Sequence, residues 1–414
     1  TSMTFRWDKW VVIFNDFMAL QFRSDDTKKW FWGFGVGAPI DLTLGTETAS
    51  WNGTTRFSAY GVTTGTAGTT TLVNSGGWVH KGFHLIHQTR GTGAGNYEIQ
   101  YIDWSKASNQ CMFMLQNTYT TGAQVVSMSN SFNYMPRNIT VTGTFSAPAY
   151  NGTTGGIIAL MATGNIMVNS GGLINGTGLG FRGGIAQYSN GNGTIASNSY
   201  AGEGSGGLSV QQRTPNGNGG GAGFGQGGSS SGFYAGSGAG GSHAGASSNG
   251  TAWNAPSGVL GQGASAVGNA SMTLAFLGGG GGGGACSGPV TSIATSGANG
   301  GALIVLIAPV ITLVGGIQSN GNNSSGGYQV SGGGGGGGGV LLKCRTASLG
   351  TNLITVTGGS AGSATNNVGT AGGVGRIHID YKTSYTGSAT PTIDARQDTT
   401  LNPFSMGGAG ALFM

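Results

Sequence analysis

The sequence predicts an all-β protein in which an aromatic-rich antiparallel β-sandwich precedes a glycine-rich, β-solenoid-like body with packed polyglycine II helices. Three observations carry this. Apolar residues recur in short alternating or continuous runs bounded by turn residues, and no long stretch has a 3.6-residue period with a cap and a charged face. Glycine supplies 88 of 414 residues, yet only 16 of them lie in the first 150, where seven of the eight tryptophans also fall. Charged residues make up 7% of the chain, against roughly 25% in an ordinary soluble domain.

Composition excludes several classes. Nine prolines and no strict every-third glycine rule out collagen. A 37% hydrophobic and 9% aromatic content is that of a chain able to bury a core, unlike a disordered one. The formal charge of +5 is dispersed, with no basic run longer than Lys28-Lys29, so neither nucleic acid nor an anionic membrane is an expected partner. The longest apolar run, Ala302 to Ile317, is broken by Pro309, Gly315 and Gly316 and is shorter than the roughly 20 residues of a spanning helix, so no membrane span is expected. A chain beginning at Thr1, with no signal peptide, fits a processed, secreted protein and equally a trimmed one.

Three regions follow: an aromatic β domain over 1–137, a glycine-rich repeat body over 138–381, and a tail over 382–414. The first opens with Met3, Phe5 and Trp7 alternating with polar residues, the pattern of a strand with one buried face. Such a strand either pairs within its own domain or adds to a neighbouring subunit and so builds a polymer. Trp10–Phe14 and Phe17–Phe22, separated by Asn15-Asp16, read as a hairpin. Further strands are expected over Trp78–His87, Tyr97–Trp104 and Met112–Leu115, with Thr63–Leu72 suited to exposed strands and loops.

The second region repeats a unit: a glycine pair, an apolar strand, a short turn, a second apolar strand and another glycine pair. It is seen from Gly155 to Gly176 and from Gly300 to Gly321. It recurs more loosely from Gly339, where Val340-Leu341-Leu342 and Leu353–Val356 take the strand positions. Half units stand at Asn138–Gly143 and Gly372–Tyr381. Units that cannot bury their apolar strands alone must stack. Between them lie seven consecutive glycines, Gly278–Gly284, and eight, Gly332–Gly339. Charges nearly vanish here: Ile139 to Gly375 holds only Arg182, Glu203, Arg213, Lys343 and Arg345. A solvated linker has no reason to be so poor in charge, so the runs are expected to pack as left-handed threefold helices that exchange backbone hydrogen bonds.

These units, the long glycine runs and the closing Gly375-Arg376-Ile377-x-Ile379-x-Tyr381 element resemble the glycine-rich surface and tail-fibre proteins of bacteria and their phages. The resemblance covers about residues 138 to 381. It implies an extracellular or cell-surface location and, for the fibre-tip adhesins of this type, packed glycine helices with receptor-binding loops at one end.

Signals for chemistry are sparse. Gly178–Gly183 matches GxGxxG, but no helix or acidic partner follows. His80, His84 and His87 lie on a strand pattern that spreads them too far to ligate one ion. No nucleophile or carboxylate pair stands out, so no enzyme, cofactor or metal is expected. Tyr188, Tyr200, Phe224, Phe233, Tyr234 and Trp253 are candidate ligand-loop aromatics, or else fill gaps between glycine helices. Cys286 and Cys344 each follow a glycine run closely and form a candidate disulfide. Asn-x-Ser/Thr sites are many, as such a composition produces by chance. The expected function is an extracellular self-assembling filament or appendage subunit joined by strand addition, its partner a copy of itself. The alternative is a fibre-tip adhesin that binds a cell-surface glycan or receptor.

Overall fold

A computed structural model describes residues 3–7, 10–14, 21–24, 41–49, 59–74, 82–103, 110–128, 136–190, 197–225, 235–253, 260–288, 294–327, 329–365 and 367–399. The protein is all-β, with no helix among the described residues. Strands β1 (Met3–Trp7), β2 (Trp10–Phe14) and β3 (Gln21–Ser24) form an antiparallel sheet with β1 and β3 at its edges. Met3 pairs with Phe14 and Trp7 with Trp10, so the candidate assembly strand has a partner within its own chain. Of the expected strand Phe17–Phe22, Gln21 and Phe22 lie in β3, and residues 17–20 lie outside the described residues.

Next come β4 (Asp41–Leu44) and β5 (Glu47–Thr48), then the antiparallel strands β6 (Ala59–Gly65), β7 (Leu72–Asn74), β8 (Gly82–Gln88), β9 (Tyr97–Asp103), β10 (Gln110–Cys111) and β11 (Tyr119–Ser127). These six form a sheet in the order β10-β9-β8-β11-β6-β7, and a bridge between Thr71 and Gln110 brings its outer strands together in a barrel-like curl. Met112–Leu115, expected as a strand, is a bend whose backbone instead bonds to Thr69 and Tyr101. β11 carries no clear sequence signal because Gly122, in the left-handed region at φ 111°, interrupts it. Inside the curl pack Leu72, Ile86, Ile102, Cys111, Leu115, Tyr119, Ala123 and Val125.

The rest of the chain supplies β12 (Asn138–Val141), β13 (Thr144–Ser146), β14 (Ile157–Met161), β15 (Asn165–Val168), β16 (Leu173–Asn175), β17 (Gln187–Asn190), β18 (Ser197–Asn198), β19 (Phe224–Gly225), β20 (Ala235–Gly236), β21 (Ala252–Trp253) and β22 (Ala285–Gly288). After these come β23 (Leu303–Ile307), β24 (Val310–Leu313), β25 (Gly316–Gln318), β26 (Gly339–Thr355), β27 (Arg376–Thr390) and β28 (Asp394–Gln397).

The repeat units stack in parallel register along three ladders. The first runs β14-β23-β26-β27-β28, the second β4-β12-β15-β24-β26-β27, and the third β5-β13-β16-β25-β26-β27. Residues 41–48 thus begin the stack although they lie within the first 137. The inward columns fill one core, among them Leu44, Ile139, Ile158, Ile166, Ile304, Ile311, Leu342 and Ile379. Ile157, Ala159, Met161, Leu303, Val305, Ile307 and Leu341 point outward and are buried against Phe83, Leu85, Tyr97 and Ile99 of the curled sheet. Burial on both faces explains why Leu303–Ile307 is continuously apolar rather than alternating.

Two registers differ from the sequence expectation. Ile157 pairs with Leu303, one residue away from where aligned glycine pairs would put it. In the third unit Thr346–Ser348 occupies the second-strand position and Ile354 pairs with Ile317. Only Ala347 of that rung points into the core, which left Leu353–Val356 as the stronger apolar signal.

Both glycine runs are buried throughout. Their hydrogen bonds repeat every three residues. Gly278, Gly281 and Gly284 donate to Gly301, Ala298 and Thr295; Gly279 and Gly282 donate to Ser242 and Ala239; Gly280 and Gly283 donate to Glu203 and Tyr200, all at 2.8 to 3.0 Å. Gly333 and Gly336 likewise donate to Gly282 and Gly279, so the two runs bond to each other. A Cβ added at Gly279 or Gly280 would lie 1.8 Å from the Asn218 carbonyl oxygen or 2.0 Å from that of Arg182. The runs therefore need glycine for close approach of backbones, since neither contains a left-handed residue.

Candidate functional site

One end of the glycine bundle gathers several short strands. β17 pairs in parallel with β22, β20 runs antiparallel to β22, and β21 runs antiparallel to β20, giving the order β17-β22-β20-β21. β18 and β19 form a separate antiparallel pair. That pair lies against β22, because a Cβ on Gly225 would come within 3.0 Å of the Cys286 backbone. Ala235, Cys286, Ala294 and Val330 pack beneath, with Ala186 at their margin.

Four of the six candidate aromatics map onto this end or beside it. Tyr188 stands opposite Cys286 in the β17–β22 ladder, Trp253 opposite Ala235, and Phe224 opposite Asn198. Tyr200 is half-buried, two residues past β18, and its amide donates to the Ile185 carbonyl at 3.1 Å. Phe233 and Tyr234 lie outside the described residues. The topology thus brings together positions up to 65 residues apart in sequence, from Tyr188 to Trp253. Two exposed aliphatic residues adjoin the Tyr200 segment: Ile185 is 61% exposed, and Val210 is exposed, its carbonyl accepting from the Ala201 amide.

Electrostatically this end is bare. From Ile185 to Gly300 the only Asp, Glu, Lys or Arg residues are Glu203 and Arg213. Glu203 is buried and receives Arg182 Nε at 2.9 Å and Nη2 at 2.5 Å, and this pairing raises the guanidinium pKa. His243 is buried, its Nδ1 3.1 Å from the Gly337 carbonyl oxygen. Burial, aided by the charge of Arg376, pushes its pKa down to about 4. A surface of short strands this poor in charge can hydrogen-bond and stack.

The Cys286–Cys344 disulfide is not formed. All three cysteines are buried and none is joined in a disulfide. Cys286 belongs to the small cluster at the bundle end, whereas Cys344 lies in the core of the parallel stack beside Leu342 and Ala347. Similar distances from a glycine run had placed them in equivalent layers, but the runs end in different parts of the fold.

His84 and His87 are packing groups, both fully buried. His84 Nδ1 lies 2.8 Å from the Gly82 carbonyl oxygen. His87 Nε2 donates to the Ala275 carbonyl at 2.9 Å, joining the curled sheet to the glycine body, while burial lowers its pKa to about 4. His80 lies outside the described residues, among which no group of three or more His, Cys, Asp or Glu is placed to hold a metal ion. No described helix is long and apolar enough to cross a membrane.

Sequence reasoning missed a charged cluster at the carboxy-terminal end of the first ladder. The outward column Met161, Ile307, Lys343, Asp380, Arg396 and its neighbour Ala159, Val305, Leu341, His378, Asp394 change from apolar to ionic along the stack. His378 sits between two carboxylates, Nδ1 2.6 Å from Asp394 and Nε2 3.1 Å from Asp380. The i, i+2 spacing of His378 and Asp380 on a strand was the available signal. A second feature, an open groove of about 330 Å³ on the curled sheet, is lined by Thr64, Thr66, Thr69, Thr71, Val73 and Thr118. No protein-family model, curated protein or solved structure matches the chain.

Proposed function

We propose that this protein is an extracellular binding module of the fibre-tip kind. In this reading the three-ladder stack is a β-solenoid, the glycine segments are polyglycine II helices, and together they form a rigid mount for a ligand-binding end. The observation that carries it is the gathering of Tyr188, Phe224 and Trp253 onto short strands at one end of the glycine bundle. A dense bundle held by backbone bonds presents such an end without the entropy that a flexible linker would lose on binding. The lack of charge there suits a neutral cell-surface glycan or a weakly polar receptor surface.

The test is an array of immobilised bacterial surface glycans probed with the purified chain and with Tyr188→Ala/Trp253→Ala. Binding by the native chain that weakens at least tenfold in the variant supports the reading, with about 1.4 kcal/mol per decade. Binding that survives the double substitution removes these aromatics from the site, and no binding to any surface preparation sinks the reading.

A second reading, a self-assembling structural subunit, is favoured by one separate observation: among the described residues β1, with Met3, Phe5 and Trp7, lies at a sheet edge and pairs with β2 alone. Strand addition at that edge would join copies into a filament.

A further inference from the structure

The two ends of the parallel stack are unlike. At the amino-terminal end the final rungs among the described residues are β4 and the two-residue β5. Glu47 there occupies the column that continues inward through Phe145, Ile174, Ile317, Ile354 and Ala389. A carboxylate in an inward column and a very short edge strand are devices that discourage further pairing.

The carboxy-terminal end has neither on its second ladder. β28 covers β27 only from His378 to Tyr381. Ser384–Thr386 pairs with Thr346–Ser348 on one side and, among the described residues, with no strand on the other. This rung carries no charge and no proline. Tyr385 ends the inward column Leu42, Ile139, Ile166, Ile311, Ala347, and its ring lies 5.0 Å from that of Tyr381. Both rings, with Ala389 and Ile393, are only partly buried against the core. The core thus ends on half-covered apolar side chains beneath an unpaired strand edge, the arrangement that an added strand completes.

We infer that this edge receives strand β1 of a second copy, and the inference rests on the self-assembly reading above. The other rungs of this face are four residues long in β4, β12, β15 and β24, a length that the five residues of β1 satisfy. The sequence of β1 alternates apolar and polar residues, as a strand covering Tyr385 requires. Because donor and acceptor are different strands, the contact is heterologous, and it propagates into an open chain of copies wherever the rotation between them does not close a ring.

Assembly is followed by light scattering and electron microscopy over a concentration series for four proteins: the native chain, a chain lacking residues 1–8, Ser384→Lys/Thr386→Lys, and a chain lacking residues 400–414. Ser384 and Thr386 are exposed, so lysine is accommodated while it charges the edge. Circular dichroism and thermal melting confirm that each variant is folded. The expected result is a concentration-dependent native polymer whose half-assembly concentration rises at least tenfold both without residues 1–8 and with the two lysines. A polymer that needs residues 1–8 but ignores the lysines keeps the self-assembly reading and overturns the β27 acceptor. A chain that polymerises only once residues 400–414 are removed shows that its own tail occupies the edge, and also overturns it. No polymer in any of the four removes the self-assembly reading as well.

Discussion

Lys343 and Asp380 face each other on adjacent parallel strands, Nζ 3.7 Å from Oδ2, with 8% and 4% of their side chains exposed. Burial alone would raise the Asp380 carboxyl pKa. Hydrogen bonds from His378 and Arg396 and the charge of Lys343 outweigh it and hold the group well below the usual carboxylate range. The Lys343 ammonium is lowered, chiefly by the same burial.

Removing the carboxylate charge should therefore strand a buried cation. Asp380→Asn is expected to destabilise the fold by about 3 kcal/mol, in the range for breaking a buried pair, as read from urea unfolding. Since the folded-state pKa is depressed, the stability from Asp380 is present above its unfolded value near 4 and is lost as pH falls below that. The variant should lack this acid-dependent component; an unchanged acid profile would exclude Asp380 as its source.

Acid should also act through His87 and His243, each with its pKa lowered from 6.5 to about 4 by burial. The unfolded chain binds protons that these folded imidazoles refuse, so stability falls as pH drops from about 6.5 towards 4, by on the order of 3 kcal/mol per residue. Thermal melts of His243→Gln should show a shallower loss across that window than the native protein. Parallel curves would mean His243 is not held neutral.

Glycine-to-alanine substitutions should divide sharply by position. At Gly335 an added Cβ would sit 2.0 Å from the Asn299 carbonyl oxygen, whereas at Gly45 it meets nothing within 4 Å. Gly335→Ala is expected to cost about 3 kcal/mol or more by overpacking, and Gly45→Ala to change stability by no more than about 0.5 kcal/mol. Equal melting temperatures for the two would contradict the bundle.

The cysteines should be inert in the folded state. Burial pushes the Cys111 and Cys344 thiols up to about 12 and Cys286 to about 11. Iodoacetamide should label all three only after denaturation, and reduction should leave the native mass unchanged. A two-dalton mass increase on reduction would restore the disulfide.

Several features were legible in the chain because they are local. Strand periodicity, the scarcity of charge and the glycine runs gave the all-β class and the stacking units, since alternation and close backbone approach are set by neighbouring residues. The charged column ending in Asp380 and Arg396 was hidden because its members come from three strands, β26, β27 and β28, whose alignment is set by the parallel register of the stack. β11 was hidden by Gly122, and the bundle end by the distance in sequence between Tyr188, Phe224 and Trp253.

The sequence by itself determined the secondary-structure class, the need for glycine and the near absence of charge in the body. Tertiary structure alone decided the one-residue register offset, the separate fates of Cys286 and Cys344, the recruitment of residues 41–48 as the first rungs, and which carbonyl each run glycine meets. The physical reason is range. A strand's period is fixed within a few residues, but the Gly280 amide bonds to Glu203, and its Cα faces the Arg182 carbonyl oxygen. Such pairings exist only once distant segments have packed, and no local pattern of glycines distinguishes one neighbour from another.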